Sequence, residues 1–248
     1  MTAPAFSVSK ILFISDLHLS PKTPEILEQF RCFLEQTAPL AQSVYILGDL
    51  FDAWIGDDDP SPFAARVRQM LHNASRRTSL FFQHGNRDFL LGETFCRAAG
   101  LELLPEEHVV QIGGKPILLL HGDQLCTDDK DYQQARKLFR SPQFKAQALA
   151  LSIPERIRKA EEIRQLSGEA TAEKPADIMD VNQQAVEDMM RKHGVLRLVH
   201  GHTHRPASHQ FQLAGQAAER IVLSDWRTDG STVLHMDEQT GTAKLETL

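Results

Sequence analysis

Short apolar runs alternate along this chain with longer stretches in which apolar residues recur every three or four positions. Ile11–Ile14, Val44–Leu47, Ser79–Gln83, Pro116–Leu120 and Leu196–Val199 are rich in branched and aromatic residues and too short for helices, so they predict buried strands. Ile26, Leu27, Phe30, Phe33 and Leu34 keep helical spacing over Pro24–Leu40, with Thr23 as N-cap and Pro24 in the first turn. Further helices are predicted over Ser61–Asn73 and Gly92–Ala99, the second closed by Gly100. Val109–Ile112 and Pro116–Leu120 flank Gly113-Gly114 as a hairpin. The stretch from His121 to Leu196 reads as helical. Tyr132, Ala135, Leu138 and Phe139 share one face, Ile178, Val181, Ala185 and Met189 another, and Phe144, Leu149, Leu151 and Ile153 form an apolar patch between them. The last of these helices is expected to bury its face against the rest of the protein. Pro206–Leu248 reads as strands and turns, including Ile221–Leu223, Thr232–Met236 and Lys244–Leu248, which are expected to complete a second sheet with Trp226 in packing.

A chain of 248 residues, 42% hydrophobic, supports a large α/β core, and one domain with an insertion is expected. Its net charge of -6 argues against nucleic acid as a partner, which calls for a basic surface. Cys32, Cys96 and Cys126 are few, odd in number and far apart, as in a reducing cytosol. The first ten residues do not read as a signal peptide, and no apolar run is long enough to span a bilayer.

Chemistry concentrates where the strands stop. Val44–Leu47 runs into Gly48-Asp49, and a carboxylate at the open end of a buried strand can offer both oxygens, making Asp49 a candidate bridge between two metals. Gly and Asp are also ordinary turn residues. Repetition sets this turn apart: Asp16 and His18 follow the first strand, Asn86 the third, His121 the hairpin, and His202 and His204 the strand at Leu196–Val199. Residues two apart on an extended segment share a face, so each of the pairs Asp16/His18 and His202/His204 is expected to aim at one point. Asp57–Asp59 reads as a solvated acidic turn. Nitrogen and oxygen donors without thiolate favour manganese, iron or zinc over magnesium alone.

The order D-x-H, GD, GN, H and GHxH resembles the calcineurin-like metallophosphoesterases. That resemblance implies an α/β fold, a four-layer α/β/β/α sandwich with a dinuclear site at the C-terminal strand ends. Asp16, His18 and His204 would hold one metal, Asn86, His121 and His202 the other, and Asp49 both. The longer strings SDLHLSP, LGDLFDAWIGDDD, HGNRDFLLG, LLHGDQLCTDDKDYQ, IMDVNQQAV and HGHTHRP resemble the branch that hydrolyses UDP-2,3-diacylglucosamine in lipid A synthesis. Many relatives outside that branch carry histidine after the asparagine. Arg87 stands there here, a forked cation suited to a diphosphate. The branch implies two Mn2+ per chain, water attack at the α-phosphorus, and release of UMP and 2,3-diacylglucosamine 1-phosphate (lipid X). It assigns catalysis to Arg87 and His202, and substrate contacts to Asn86, Arg87, Asp129, Ser167, Thr171, Lys174 and His202. It further implies a cytoplasmic protein, peripheral on the inner membrane, with no obligatory protein partner.

The insertion, taken as residues 127–194 of a 1–248 phosphoesterase domain, carries eight bases against three acids between Arg136 and Arg164. Bases beside apolar residues describe an interfacial element, a cap that takes up acyl chains while its cations meet anionic headgroups. Two other readings stay open. One is a metal-dependent phosphodiesterase or nucleotide pyrophosphatase without lipid specificity; the other is a non-catalytic scaffold, although relatives of that kind tend to lose ligands and all seven are present here.

Overall fold

A computed structural model describes residues 10–173 and 180–248, without the side chains of 166–173. Parallel strands β1 (Lys10–Ile14), β2 (Ser43–Leu47), β3 (Ser79–Gln83) and β4 (Leu101–Leu103) form one sheet. The hairpin β5 (His108–Ile112) and β6 (Lys115–Leu119) opens a second, in which β7 (Arg197–His200) lies parallel to β6. Next come β8 (Ala207–Leu213) and β9 (Gln216–Val222), an antiparallel pair that extends this sheet in the order β5-β6-β7-β9-β8. The last two strands, β10 (Thr232–Asp237) and β11 (Ala243–Thr247), leave it and pair beside β1 in the six-stranded sheet. The expectation that the whole C-terminal region completes the second sheet is therefore corrected. Leu234 and Met236 on β10 are buried with Ile11 and Phe13 on β1, so the core between the sheets sets its place.

Alternation along each strand feeds two cores at once. Leu12, Ile14, Val44 and Ile46 face α1 (Pro24–Cys32), α2 (Pro62–Ser75) and α3 (Glu93–Ala99), whereas Ile11, Phe13, Tyr45 and Leu47 face Ile117, Leu119 and Val199 of the other sheet. On the far side of that sheet Leu118 and Leu198 pack on Val186 and Met190 of α7 (Gln183–His193), making the fourth layer. The face of α7 expected from its pattern is thus shifted by one residue, with Val181, Ala185 and Met189 at its edge. Ile178 lies outside the described residues. Burial on both sides is why these strands read as unbroken apolar runs.

Local signals were mixed guides. Thr23 sits at the start of α1, yet its side chain does not cap it and reaches the Ser20 carbonyl instead. Trp226 packs edge-on against Phe30 and Phe33, as expected. Asp57–Asp59 is a turn with Asp58 58% exposed, as expected, but its acids are also engaged: Asp57 accepts from the backbone of Gly92 and Phe95 at the start of α3, and Asp58 pairs with Arg156.

Between β6 and α7 run α4 (Lys130–Arg140), α5 (Pro142–Leu149) and α6 (Ile153–Glu173). Neither α4 nor α5 contains a fully buried residue. Arginines hold this segment instead: Arg136 and Arg140 reach Glu106 at 2.8 Å, Arg156 forks onto Asp58, and Arg164 pairs with Asp52. Four of the eight bases are therefore engaged with the sandwich, which leaves the other four for the expected contact with anionic headgroups.

Candidate metal centre

All seven candidate residues gather at one end of the sandwich because β1, β2 and β3 are parallel in one sheet and β6 and β7 in the other. They do not converge by strand alternation. Asp16, His18, Asp49, His202 and His204 all adopt left-handed backbone, with φ of 55, 48, 53, 68 and 55°. Non-glycine residues rarely adopt this conformation; each costs about 1–3 kcal/mol and persists only where its surroundings enforce it. Two glycines let the loops close. A Cβ on Gly85 would lie 2.0 Å from Asp49 Oδ1, and one on Gly201 would lie 2.3 Å from Asp16 Oδ2.

The donor atoms form two adjoining groups. His204 Nε2 lies 3.4 Å from Asp16 Oδ1 and 3.3 Å from His18 Nε2. Asn86 Oδ1 lies 2.9 Å from both His121 Nε2 and His202 Nδ1. Asp49 Oδ2 stands between the groups, 3.9 Å from His18 Nδ1 and 3.8 Å from His121 Nε2. His121 Nδ1 donates to the Leu47 carbonyl at 2.8 Å, which orients the ring with Nε2 inward, as in a metal-ligating imidazole. Asp16 Oδ1 is buried without a well-formed hydrogen bond, and Asp16 and Asp49 together bring two buried carboxylates close to four imidazoles. Nitrogen and oxygen donors converging on a buried, under-satisfied carboxylate fit divalent cations.

Electrostatics agree with that reading. Burial alone would raise the Asp16 carboxyl, but its hydrogen bond to His204 and the charges of His121, His204 and His18 hold it well below the usual range. Burial pushes Asp49 up to about 6 despite the opposing pull of His121. His18 and His202 are pushed down to about 4, chiefly by burial, and so present neutral imidazole. For His121 and His204 burial is outweighed by the neighbouring aspartates, and both are raised.

Asp88 was not foreseen as part of the site. Its buried carboxylate accepts from the backbone N–H groups of Gly85, Asp49, Leu50 and Phe51, at 2.8, 3.4, 2.7 and 3.4 Å, and so fastens the Asp49 loop to the Asn86 loop. Its place in Asn86-Arg87-Asp88 was the only signal for it. Asp123, two residues after His121, accepts from Tyr132 Oη at 3.1 Å and Arg136 Nε at 2.7 Å, and the Tyr132 ring lies 5.8 Å from that of His202.

Beside the cluster opens a cavity of about 380 Å³ under α4–α6, with Asn86, Arg87 and Asp123 at the cluster side. Phe89, Phe139, Phe144, Trp54, Leu151 and Ile163 give it an apolar interior. Tyr132, Ala135 and Phe139 face it as their spacing predicts, whereas Leu138 is 56% exposed. Asp129 caps α4 through the Tyr132 N–H and also lines the cavity. Ser167 and Thr171 fall within α6, where side chains are not described, and Lys174 lies outside the described residues. Among the described residues no helix is long and apolar enough to cross a membrane.

The sequence profile of the calcineurin-like phosphoesterases matches residues 9–206. A protein of Stenotrophomonas maltophilia named UDP-2,3-diacylglucosamine hydrolase is 48% identical over 245 residues, 96% of this chain and 98% of its own. Proteins of the same name from Chromohalobacter salexigens and Pseudomonas aeruginosa are 48% and 46% identical over 87% and 89% of this chain, and 88% and 92% of their own. The crystal structure of a dimetal phosphatase from Danio rerio superposes with a TM-score of 0.54 over 97% of this chain and 96% of that one, at 13% identity, which makes the likeness one of fold.

Proposed function

From a chain that belongs to the calcineurin-like phosphoesterase family, we propose hydrolysis of the diphosphate bond of UDP-2,3-diacylglucosamine by water attack at the α-phosphorus, giving UMP and 2,3-diacylglucosamine 1-phosphate in lipid A biosynthesis. The observation that carries this reading is the adjacency of two unlike compartments: a cluster of carboxylates and imidazoles, and an apolar cavity entered past Asn86 and Arg87. A diphosphate at the cluster with acyl chains in the cavity uses both. A pyrophosphatase indifferent to lipid would have no use for the second.

Two Mn2+ are the cations of this reading. Asp16, His18 and His204 would hold one, Asn86, His121 and His202 the other, and Asp49 both. When bound, such a pair lowers the pKa of water and offsets charge on the attacked phosphoryl oxygens. Arg87, which lines the cavity, and His202, within the cluster, would flank a diphosphate held there, and Arg87 could donate two N–H groups to its oxygens. Asp129, Ser167, Thr171 and Lys174 would meet the sugar, its amides and phosphate. The chain is read as one phosphoesterase domain over residues 1–248, with 127–194 as its cap.

Peripheral binding to the cytoplasmic face of the inner membrane belongs to the same proposal. Leu138, Leu149, Ile157 and Ile163 are exposed on α4–α6 near Lys137, Arg158 and Lys159, a combination suited to an anionic interface. Replacing Lys137, Arg158 and Lys159 should weaken liposome binding, and unchanged binding would remove the membrane claim.

The principal experiment chelates the purified chain, adds back single metals, and measures UMP release from the diacylated nucleotide sugar and from UDP-N-acetylglucosamine. Restoration by Mn2+ with strong preference for the diacylated substrate is expected. Equal rates on the two substrates would refute the lipid assignment.

A further inference from the structure

His200 opens the histidine-rich loop after β7 and takes no part in the candidate metal cluster. It is fully buried, and its Nδ1 lies 2.8 Å from the Gly201 carbonyl. A carbonyl can only accept, so Nδ1 carries the hydrogen. On the other side of the ring, Nε2 lies 3.1 Å from an Arg220 guanidinium nitrogen. A guanidinium can only donate, so Nε2 is bare. The ring is thereby locked as one neutral tautomer, a link between the side chain of β9 and the peptide that follows β7.

Arg220 is an expensive residue to place there. It is 7% exposed, forms no ion pair among the described residues, and leaves its Nε without a partner. An apolar side chain would avoid the desolvation of a buried cation. The Gly201 peptide explains the placement. Its N–H donates to the His121 carbonyl at 2.8 Å, and its carbonyl also receives the Thr203 N–H at 2.8 Å. The next residue, His202, donates its backbone N–H to Asp16 Oδ2 at 2.9 Å. His202 and His204 hold φ of 68 and 55°, conformations that persist only where surrounding contacts impose them.

We propose that Arg220 and His200 are positioning residues for the loop 201–204: the guanidinium fixes the imidazole, the imidazole fixes the Gly201 peptide, and that peptide presents His202 and His204 to the cations. The inference rests on the dinuclear reading above, and it assigns a role to two side chains outside the ligand set.

Calcium-free, chelator-stripped full-length chain is titrated with Mn2+ by calorimetry for the wild type, R220M, R220K, H200N and the double variant R220M/H200N, with thermal unfolding of each stripped protein alongside. Asparagine at 200 can still donate its amide N–H toward Gly201, but its shorter side chain cannot place its oxygen where Nε2 meets Arg220. R220M should weaken Mn2+ binding about 5–10-fold, less than the roughly 10–100-fold cost of removing a direct partner of a metal ligand because Arg220 acts through His200 and the Gly201 peptide, and without a matching fall in melting temperature. R220K should recover part of the loss. The double variant should bind within about twofold of H200N, because two members of one device are non-additive. Mn2+ affinity of R220M within about twofold of wild type overturns the proposal, as does full additivity in the double variant. If R220M does not fold, R220K and R220K/H200N supply the same comparison. A wild type that binds no Mn2+ would instead overturn the dinuclear reading itself.

Discussion

The strand-end loops and the helical segment α4–α6 face each other across one cavity and are built on opposite principles. In the loops, five non-glycine residues hold left-handed backbone, two glycines leave no room for a Cβ, and Asp88 gathers four N–H groups from two loops. Every strained residue is enforced by neighbours from another part of the chain. In α4 and α5 no residue is fully buried, and with α6 they meet the sandwich through arginine–carboxylate pairs and through Phe139 and Phe144 against Phe89. Arg136, Arg140 and Arg156 are themselves only 13, 9 and 8% exposed, so the segment is fastened by largely buried charge pairs, where the loops are fastened by backbone N–H groups and closely packed glycines. Under the proposed function this is a division of labour: the buried loops would position the cations, and the helical segment would meet the lipid.

The largest expected effect comes from breaking the loop side at its centre. Asp49→Ala should lose both cations and more activity than the roughly 10–100-fold that outer partners of a ligand typically cost. Metal content and UMP release check it, and a variant that keeps two cations and full turnover would contradict the bridging role.

A second test reads the charge stored in the loops. Cation binding needs deprotonated ligands, while Asp49 is pushed up to about 6 and His121 and His204 are raised above the ordinary histidine value. At pH 6 Asp49 is partly protonated and the raised histidines carry protons that binding must displace, and fewer protons remain to be displaced as pH rises. Mn2+ binding should therefore release protons at pH 6, release fewer at pH 8, and tighten as pH rises between them. Calorimetry in buffers of different ionisation enthalpy measures the proton count; equal release at both pH values would contradict the assignment.

Loosening the other side should look different. Glu106→Gln removes one of the two carboxylates shared by Arg136 and Arg140, the other being Asp123, so hydrogen exchange in α4–α6 should accelerate and KM for the diacylated substrate should rise. Mn2+ affinity should be unchanged. Loss of Mn2+ binding in this variant would show that the two regions are not independent.

The smallest effect compares two helix caps of the same chemistry. Ser61 accepts from the Ala64 N–H at the start of α2, and Ser141 from the Phe144 N–H at the start of α5. Ser61→Ala should cost about 1 kcal/mol of global stability by urea unfolding. Ser141→Ala should cost less, because opening of α4–α6 need not unfold the sandwich. Equal losses would mean that the segment and the sandwich unfold as one unit.

How far the chain could be read without coordinates follows the same division. The strands were legible because double-sided burial writes itself as consecutive apolar residues, and the candidate ligands because each stands where such a run stops. Their means of convergence was misread: alternation on extended backbone would aim Asp16 with His18, but left-handed backbone does so. The partners of the cap bases were hidden for a related reason. Composition counts charges but not partners, and Asp58 lies 98 residues from the arginine it binds. Leu138 keeps helical spacing with Phe139 and still faces solvent, since a stripe on a helix says nothing of how much of it a neighbour covers.

The order of residues along the polypeptide determined by itself most of the strands, though not the short β4, and which side chains offer a nitrogen or oxygen to a cation. Those properties depend on neighbours within a few positions, through backbone sterics, side-chain periodicity and the chemistry of single groups. Only the tertiary structure decided that β10 and β11 return to the first sheet, that Asp88 and the Arg220–His200 pair hold the site loops, and that four arginines tie the helical segment down. Each of these is a pairing between distant residues, selected by which buried polar groups can satisfy one another once the sheets have closed.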